Sequence, residues 1–198
     1  MKMAERTAIV NRRTNETDIK VEASLDGTGT ADIATGVGFF DHMLTHIARH
    51  GNIDLTVHCK GDLHIDDHHT VEDVGIALGF VILSALGDKV GIVRAGQCIM
   101  PMDEALVLCA LDISGRGFLV DDFRLPTPKL GDYTTELTTE FFRAVAVNAG
   151  ITLHFQQIRG ANTHHIVEAA FKAFGRAIAA AVARSERVKG IPSTKGVL

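Results

Sequence analysis

The chain has 198 residues, 46% hydrophobic and 22% charged, with 20 Lys plus Arg against 24 Asp plus Glu for a formal charge of −4. That excludes wholesale disorder and leaves no basic field to hold nucleic-acid phosphates. No apolar run reads as a bilayer span or secretion signal, and three cysteines without CxxC spacing (Cys59, Cys98, Cys109) suit a reducing cytoplasm.

In chain order, the alternation through TAIVNRRTNETDIKVEASL, with Ile19, Val21 and Ala23 on one side, predicts a strand pair around a polar turn. GVGFFDHMLTHIARHG predicts a helix, because Phe40, Met43, Leu44 and Ile47 keep helical spacing and Gly51 sits at the stop. NIDLTVHCKGDL predicts a strand turning at Lys60–Gly61, and HHTVEDVGIALGFVILSALG a long helix entered from Asp66 or Asp67. PMDEALVLCALDIS reads as a buried strand after a polar turn, with Asp103 and Glu104 terminating it. The order helix, strand, long helix then returns in TELTTEFFRAVAVNAG, ITLHFQQIRG and ANTHHIVEAAFKAFGRAIAAAVA. His68-His69-Thr70-Val71-Glu72 overlays His164-His165-Ile166-Val167-Glu168 at a spacing of 96 residues. The expectation is an α+β domain with an internal duplication. Two β-rich halves, about 1–95 and 96–198, each carry two helices on one sheet face and pack helix to helix.

The repeated HHxVE carries the chemistry. Residues four apart share a helix face, so His68 with Glu72, and His164 with Glu168, can each chelate one ion. His69 and His165 lie about 100° further round and aim elsewhere. An isolated His pair at a helix start is usually a partly exposed pair and nothing more; two copies in duplicated context reverse that reading. The economical arrangement is two ions, each taking a His–Glu pair from one repeat and a lone His from the other. Aligning the two Phe-rich helices sets His42 over Glu140 as fourth ligands. His42 then joins His69, His164 and Glu168, and Glu140 joins His68, Glu72 and His165, with His154 the rival for that last place. Imidazole and carboxylate donors suit Mn, Fe, Co or Zn, and six-coordinate Mn(II) is the first choice.

His46 and His50 extend the His42 face and are candidates for substrate contact. Arg94, Arg116, Lys172, Ser193 and Lys195 make a second constellation of cations, a hydroxyl and Gly-rich backbone of the kind that binds phosphate. Each alone reads as a solvated surface residue. Glu16 is an unremarkable loop acid by every criterion the residues offer. A dinuclear phosphate-ester hydrolase and a metal-assembled structural oligomer are the alternative functions.

The chain also closely resembles the imidazoleglycerol-phosphate dehydratases of histidine biosynthesis, over nearly its whole length. The matching pieces are RTNET (13–17), FFDHML (39–44), GDLHIDDHHTVED (61–73), PMDEAL (101–106), LDISGR (111–116), NAGITLH (148–154), HHIVEAAFKAFGRA (164–177) and PSTKGVL (192–198). The resemblance implies a duplicated fold of the ribosomal S5 domain 2-like kind. It also implies two Mn(II) ions per active site, a phosphate-bearing small-molecule substrate, and a cytoplasmic homo-oligomer of 24 subunits with sites between neighbours. Metal binding would fall to His42, His68, His69, Glu72, His164, His165 and Glu168, with Glu140 at a position often occupied by His. Substrate contacts would fall to Glu16, His42, His46, His50, Arg94, Arg116, Lys172, Ser193 and Lys195. The implied reaction dehydrates D-erythro-imidazoleglycerol phosphate to imidazole acetol phosphate through a Mn-bound imidazolate and a diazafulvene-like intermediate, with Glu16 as the base.

Overall fold

The computed structural model describes residues 6–198. Strands β1 (Thr7–Arg13) and β2 (Thr17–Ser24) form a hairpin, followed by β3 (Ala31–Ala34), helix α1 (Gly38–Gly51), β4 (Asp54–Gly61) and helix α2 (His68–Leu86). The hairpin turn is held by Thr14, whose Oγ1 accepts the N–H groups of Glu16 and Thr17 at 3.1 and 3.0 Å. β3 and β4 pair in parallel, which demands a crossover, and α1 supplies it. The sheet order is β1-β2-β4-β3.

A second set repeats the first element for element: β5 (Ala95–Met102), β6 (Ala105–Asp112), β7 (Phe118–Val120), α3 (Leu137–Ala149), β10 (Thr152–Arg159) and α4 (Thr163–Val182). Its sheet order is β5-β6-β10-β7, and β7 again runs parallel to β10. One departure is the small hairpin of β8 (Lys129–Leu130) and β9 (Tyr133–Thr134), inserted before α3. The connection from β4 to α2 spans residues 62–67, whereas that from β10 to α4 spans only 160–162.

Strand alternation decides which faces are covered. Ile19, Val21 and Ala23 on β2, and Val107, Cys109 and Leu111 on β6, point inward to the helices. α2 packs on β1 and β2, and α4 on β5 and β6. The shorter helices cross between halves, α1 lying against α4 and α2 against α3. Glycines permit the close approach: a Cβ on Gly175 would lie 3.0 Å from the Ile47 carbonyl oxygen, and one on Gly75 would lie 2.8 Å from that of Phe141. Phe40, Tyr133, Phe141, Phe142, Phe171 and Phe174 fill the space between the layers and are fully buried. Each such side chain contributes roughly 1.5–3 kcal/mol by leaving water.

Two local expectations are revised. The helix α2, at 19 residues with a mean hydropathy of 1.5, is long and apolar enough to meet the length and composition test for a bilayer span. Two-thirds of it is buried (67%), so its apolarity is spent on the sheet and α3. Its entrance is also divided between two aspartates. Asp66 Oδ1 accepts the His68 N–H at 2.9 Å, while buried Asp67 accepts the N–H and hydroxyl of Thr134 at 2.6 and 2.7 Å, tying α2 to β9.

Candidate functional site

The parallel packing of α1 on α4 brings His42, His164 and Glu168 together, with donor atoms all within 4.8 Å of one another. Glu168 is 7% exposed and divides its two oxygens. Oε2 faces His164 Nε2 at 3.0 Å and His42 Nε2 at 3.5 Å; Oε1 faces Lys172 Nζ at 2.5 Å and His46 Nε2 at 3.4 Å. Burial works against ionising this carboxyl, but the Lys172 ammonium, His46 and His164 prevail and hold its pKa down at about 2. Burial pushes His46 down to about 4, over the opposing pull of Glu168, so its ring is neutral at pH 7. Burial also lowers His50, one turn further along α1, and the cations Lys172 and Arg176 add to that effect.

Two imidazoles and an ionised carboxylate converging on one point fit a divalent transition ion. The Asn162 side chain builds the platform below by accepting the N–H groups of His164 and His165 at 3.0 and 3.4 Å.

The α2 entrance is the counterpart. His68 Nε2 lies 3.7 Å from Glu72, the spacing expected of an i,i+4 pair. Glu140 does not join them. Arg143, one turn along α3, donates to both of its oxygens at 2.5 Å. Position 46 on α1 is matched on α3 by Ala144, and Lys172 on α4 by Ile76 on α2, so the two centres differ in chemistry. His154 is exposed on β10, beside neither His–Glu pair. Among the described residues, the His42 cluster is the one place where three such donors meet.

The lone histidines turn away, each toward carboxylates outside the expected ligand set. His69 Nδ1 faces Asp62 at 3.0 and 3.2 Å, and its Nε2 lies 3.8 Å from Glu16. His165 Nδ1 faces Glu104 at 2.7 Å, and its Nε2 lies 3.6 Å from Asp103. Hydrogen bonding to Asp62 raises the His69 pKa, and hydrogen bonding to Glu104 raises that of His165. His165 in turn holds Glu104 down at about 2.

Of the phosphate candidates, Lys172 alone sits in the His42 cluster. Arg94 donates to both oxygens of Asp112 at 2.7 and 2.9 Å and to the Pro192 carbonyl at 2.8 Å. Its backbone N–H reaches the carbonyl of Ala181, near the C-terminal end of α4. The Ser193 hydroxyl accepts the Lys195 N–H at 3.1 Å, and the chain end at Leu198 packs on Gly115, next to exposed Arg116. Arg94 and the tail therefore gather at one end of α4 and His164 at the other. At 1.5 Å per residue, the stretch from His164 to Ala181 is about 25 Å long. That helix length exceeds the reach of a small phosphate ester held at His164.

The family model for imidazoleglycerol-phosphate dehydratase matches residues 35–178. The chain belongs to the imidazoleglycerol-phosphate dehydratase family. The dehydratase of Desulforamulus reducens is 61% identical over 99% of this chain and 100% of its own length. That of Jannaschia sp. is also 61% identical, over 98% and 100%. Among solved structures, the Staphylococcus aureus dehydratase superposes with a TM-score of 0.82 at 41% identity, covering 90% of this chain and 99% of its own. The Pyrococcus furiosus enzyme in complex with (S)-C348 superposes with a TM-score of 0.83 at 40% identity, covering 96% and 100%. These dehydratases share the duplicated α+β architecture described above. The chain is thus an enzyme of the lyase class, and the family's reaction is dehydration of imidazoleglycerol phosphate in histidine biosynthesis. Membership in a lyase family leaves the hydrolase and structural-oligomer alternatives without support.

Proposed function

We propose that this dehydratase is a cytoplasmic Mn(II) enzyme, one domain built from repeats 1–95 and 96–198, working as a homo-oligomer of 24 subunits. Two ions serve each active site. His42, His164 and Glu168 take one, with His69 of another copy; His68 and Glu72 take the other, with His165 of another copy and Glu140 once released from Arg143. The observation that carries this reading is the separation along α4. His164 and the Arg94–tail cluster sit at opposite ends of α4, about 25 Å of helix between them, yet one phosphate-bearing substrate needs both. Neighbouring subunits would join them, and the outward aim of His69 and His165 suits the same arrangement.

When bound, the metal would supply Lewis-acid charge that favours the electron-rich form of the substrate's imidazole ring. The residues do the rest. Lys172, with Arg94, Arg116, Ser193 and Lys195 from a neighbour, would anchor the phosphate and fix the ring's approach. His46 and His50, neutral and partly buried, would line the path between ring and phosphate. The substrate D-erythro-imidazoleglycerol phosphate loses hydroxide from the carbon beside the ring, giving a diazafulvene-like intermediate. Glu16 then takes the proton from the next carbon, and the enol rearranges to the ketone of imidazole acetol phosphate; one water leaves in total. Glu16 is exposed and lies near His69 Nε2, which would put a carboxylate beside the metal edge.

Stripping metal from the protein and restoring Mn(II) tests this. Turnover should vanish and return, and particle mass by light scattering should fall on chelation. Full turnover after exhaustive stripping would refute the metal role, and an unchanged mass would refute ligands shared between subunits.

A further inference from the structure

Two histidines that the duplication makes equivalent are anchored by carboxylates that it does not. Asp62 belongs to the 62–67 connection, which is three residues longer than its counterpart at 160–162. The shorter connection holds no acid, and Glu104 reaches His165 from the β5–β6 turn instead. The same contact, a carboxylate on Nδ1, has thus been built twice from unrelated positions. An ionised carboxylate can only accept, so the nitrogen facing it carries the hydrogen. In the neutral ring, the form that binds a metal, that fixes the tautomer and leaves Nε2 with a free lone pair. In contrast, His68 and His164 point Nε2 at the glutamate one turn along their own helix.

We propose that Asp62 and Glu104 are positioning residues that lock the rings of His69 and His165, each presenting a bare Nε2 to a metal held outside this chain's own His–Glu pairs. A metal-bound histidine is oriented and made more basic by an acceptor on its other nitrogen. The proposal rests on the metal reading above and adds the devices that aim its two shared ligands. Glu104 is built for the purpose. Its Oε1 is occupied by the N–H groups of Asn162 and Ala161 at 2.8 and 3.2 Å, so Oε2 alone is left to meet His165.

That division of labour supplies a selective variant. In Glu104→Gln the amide oxygen keeps the two backbone N–H groups, and the amide nitrogen then faces Nδ1, forcing the hydrogen onto Nε2 and blocking metal. Asp62→Ala removes the acceptor from His69, while Asp62→Asn retains an oxygen that can accept. Mn(II) titrated into metal-stripped full-length protein should bind 10–100-fold more weakly to Glu104→Gln and Asp62→Ala. Asp62→Asn should recover most of the loss, and any metal-free loss of stability in the three variants should fall well short of the loss in metal affinity. His69→Ala and His165→Ala separate the two levels. If they bind Mn(II) like wild type, the metal reading itself fails. If they weaken while Glu104→Gln and Asp62→Ala do not, the positioning role fails. A metal-free stability loss matching the affinity loss, or no recovery in Asp62→Asn, would also overturn it.

Discussion

The seat of the His42 cluster is the contact between α1 and α4, and Gly175 makes that contact close. A Cβ there would stand 3.0 Å from the Ile47 carbonyl oxygen, 3.2 Å from the Gly51 nitrogen and 3.3 Å from the His50 Cβ. The first two are backbone atoms and cannot swing away. For Gly175→Ala, a shift of a few tenths of an ångström relieves the contact, and the roughly 1 kcal/mol helix preference of Ala over Gly offsets most of its cost. Gly175→Val puts a branched side chain into a contact already tight for a Cβ alone, and overpacking of this kind costs about 1–3 kcal/mol. The two helices must then part, and the His42 to Glu168 spacing of 3.5 Å opens with them. His164 and Glu168 share one helix and keep their 3.0 Å pairing. Denaturant unfolding in chelator and Mn(II) titration should show Ala close to wild type, with Val both less stable and weaker in metal. A Val variant with unchanged stability and metal affinity would refute the claim that this helix contact sets the donor geometry.

Two further outcomes follow from other parts of the chain. Glu16→Gln should retain full metal content, measured by elemental analysis, and lose turnover; a fully active variant would place the base elsewhere. Asp54 accepts the N–H groups of Thr28 and Thr30, each at 2.8 Å, and these bonds hold its carboxyl below the usual aspartate value. A depressed folded pKa gives stability that is present above the unfolded value of about 3.9 and is lost as pH falls through the folded one. Asp54→Asn should therefore be less stable than wild type at pH 7, with the gap closing in acid; a gap independent of pH would contradict this.

The parts of the fold that were legible in the sequence are those whose signal is local. The HHxVE repeat marked the starts of α2 and α4, because a His–Glu pair one turn apart is a statement about a single helix. The apolar spacing of Phe40, Met43, Leu44 and Ile47 marked the buried face of α1 for the same reason. β3 and β7 passed unnoticed: four and three residues are too short for alternation to register, and parallel pairing with β4 and β10 is decided by the crossover. The carboxylate partners of the lone histidines were equally hidden. Glu104 meets His165 across 61 residues, and only the β5–β6 turn brings them together. Asp103 and Glu104 read as strand terminators, which they also are. The division of Arg94 from the His42 cluster was out of reach as well, since sequence gives their chemistry and not their separation along α4.

The central claim is that lone imidazoles from one subunit complete ions seated on the His–Glu pairs of another. Anomalous scattering at the manganese edge, from crystals of the Mn-loaded assembly, tests it most directly. The account predicts two peaks per active site, one beside His42, His164 and Glu168 and one beside His68 and Glu72, each within ligand distance of a neighbour's histidine Nε2. Peaks enclosed by a single chain, or histidine rings facing solvent with no peak between subunits, would contradict it.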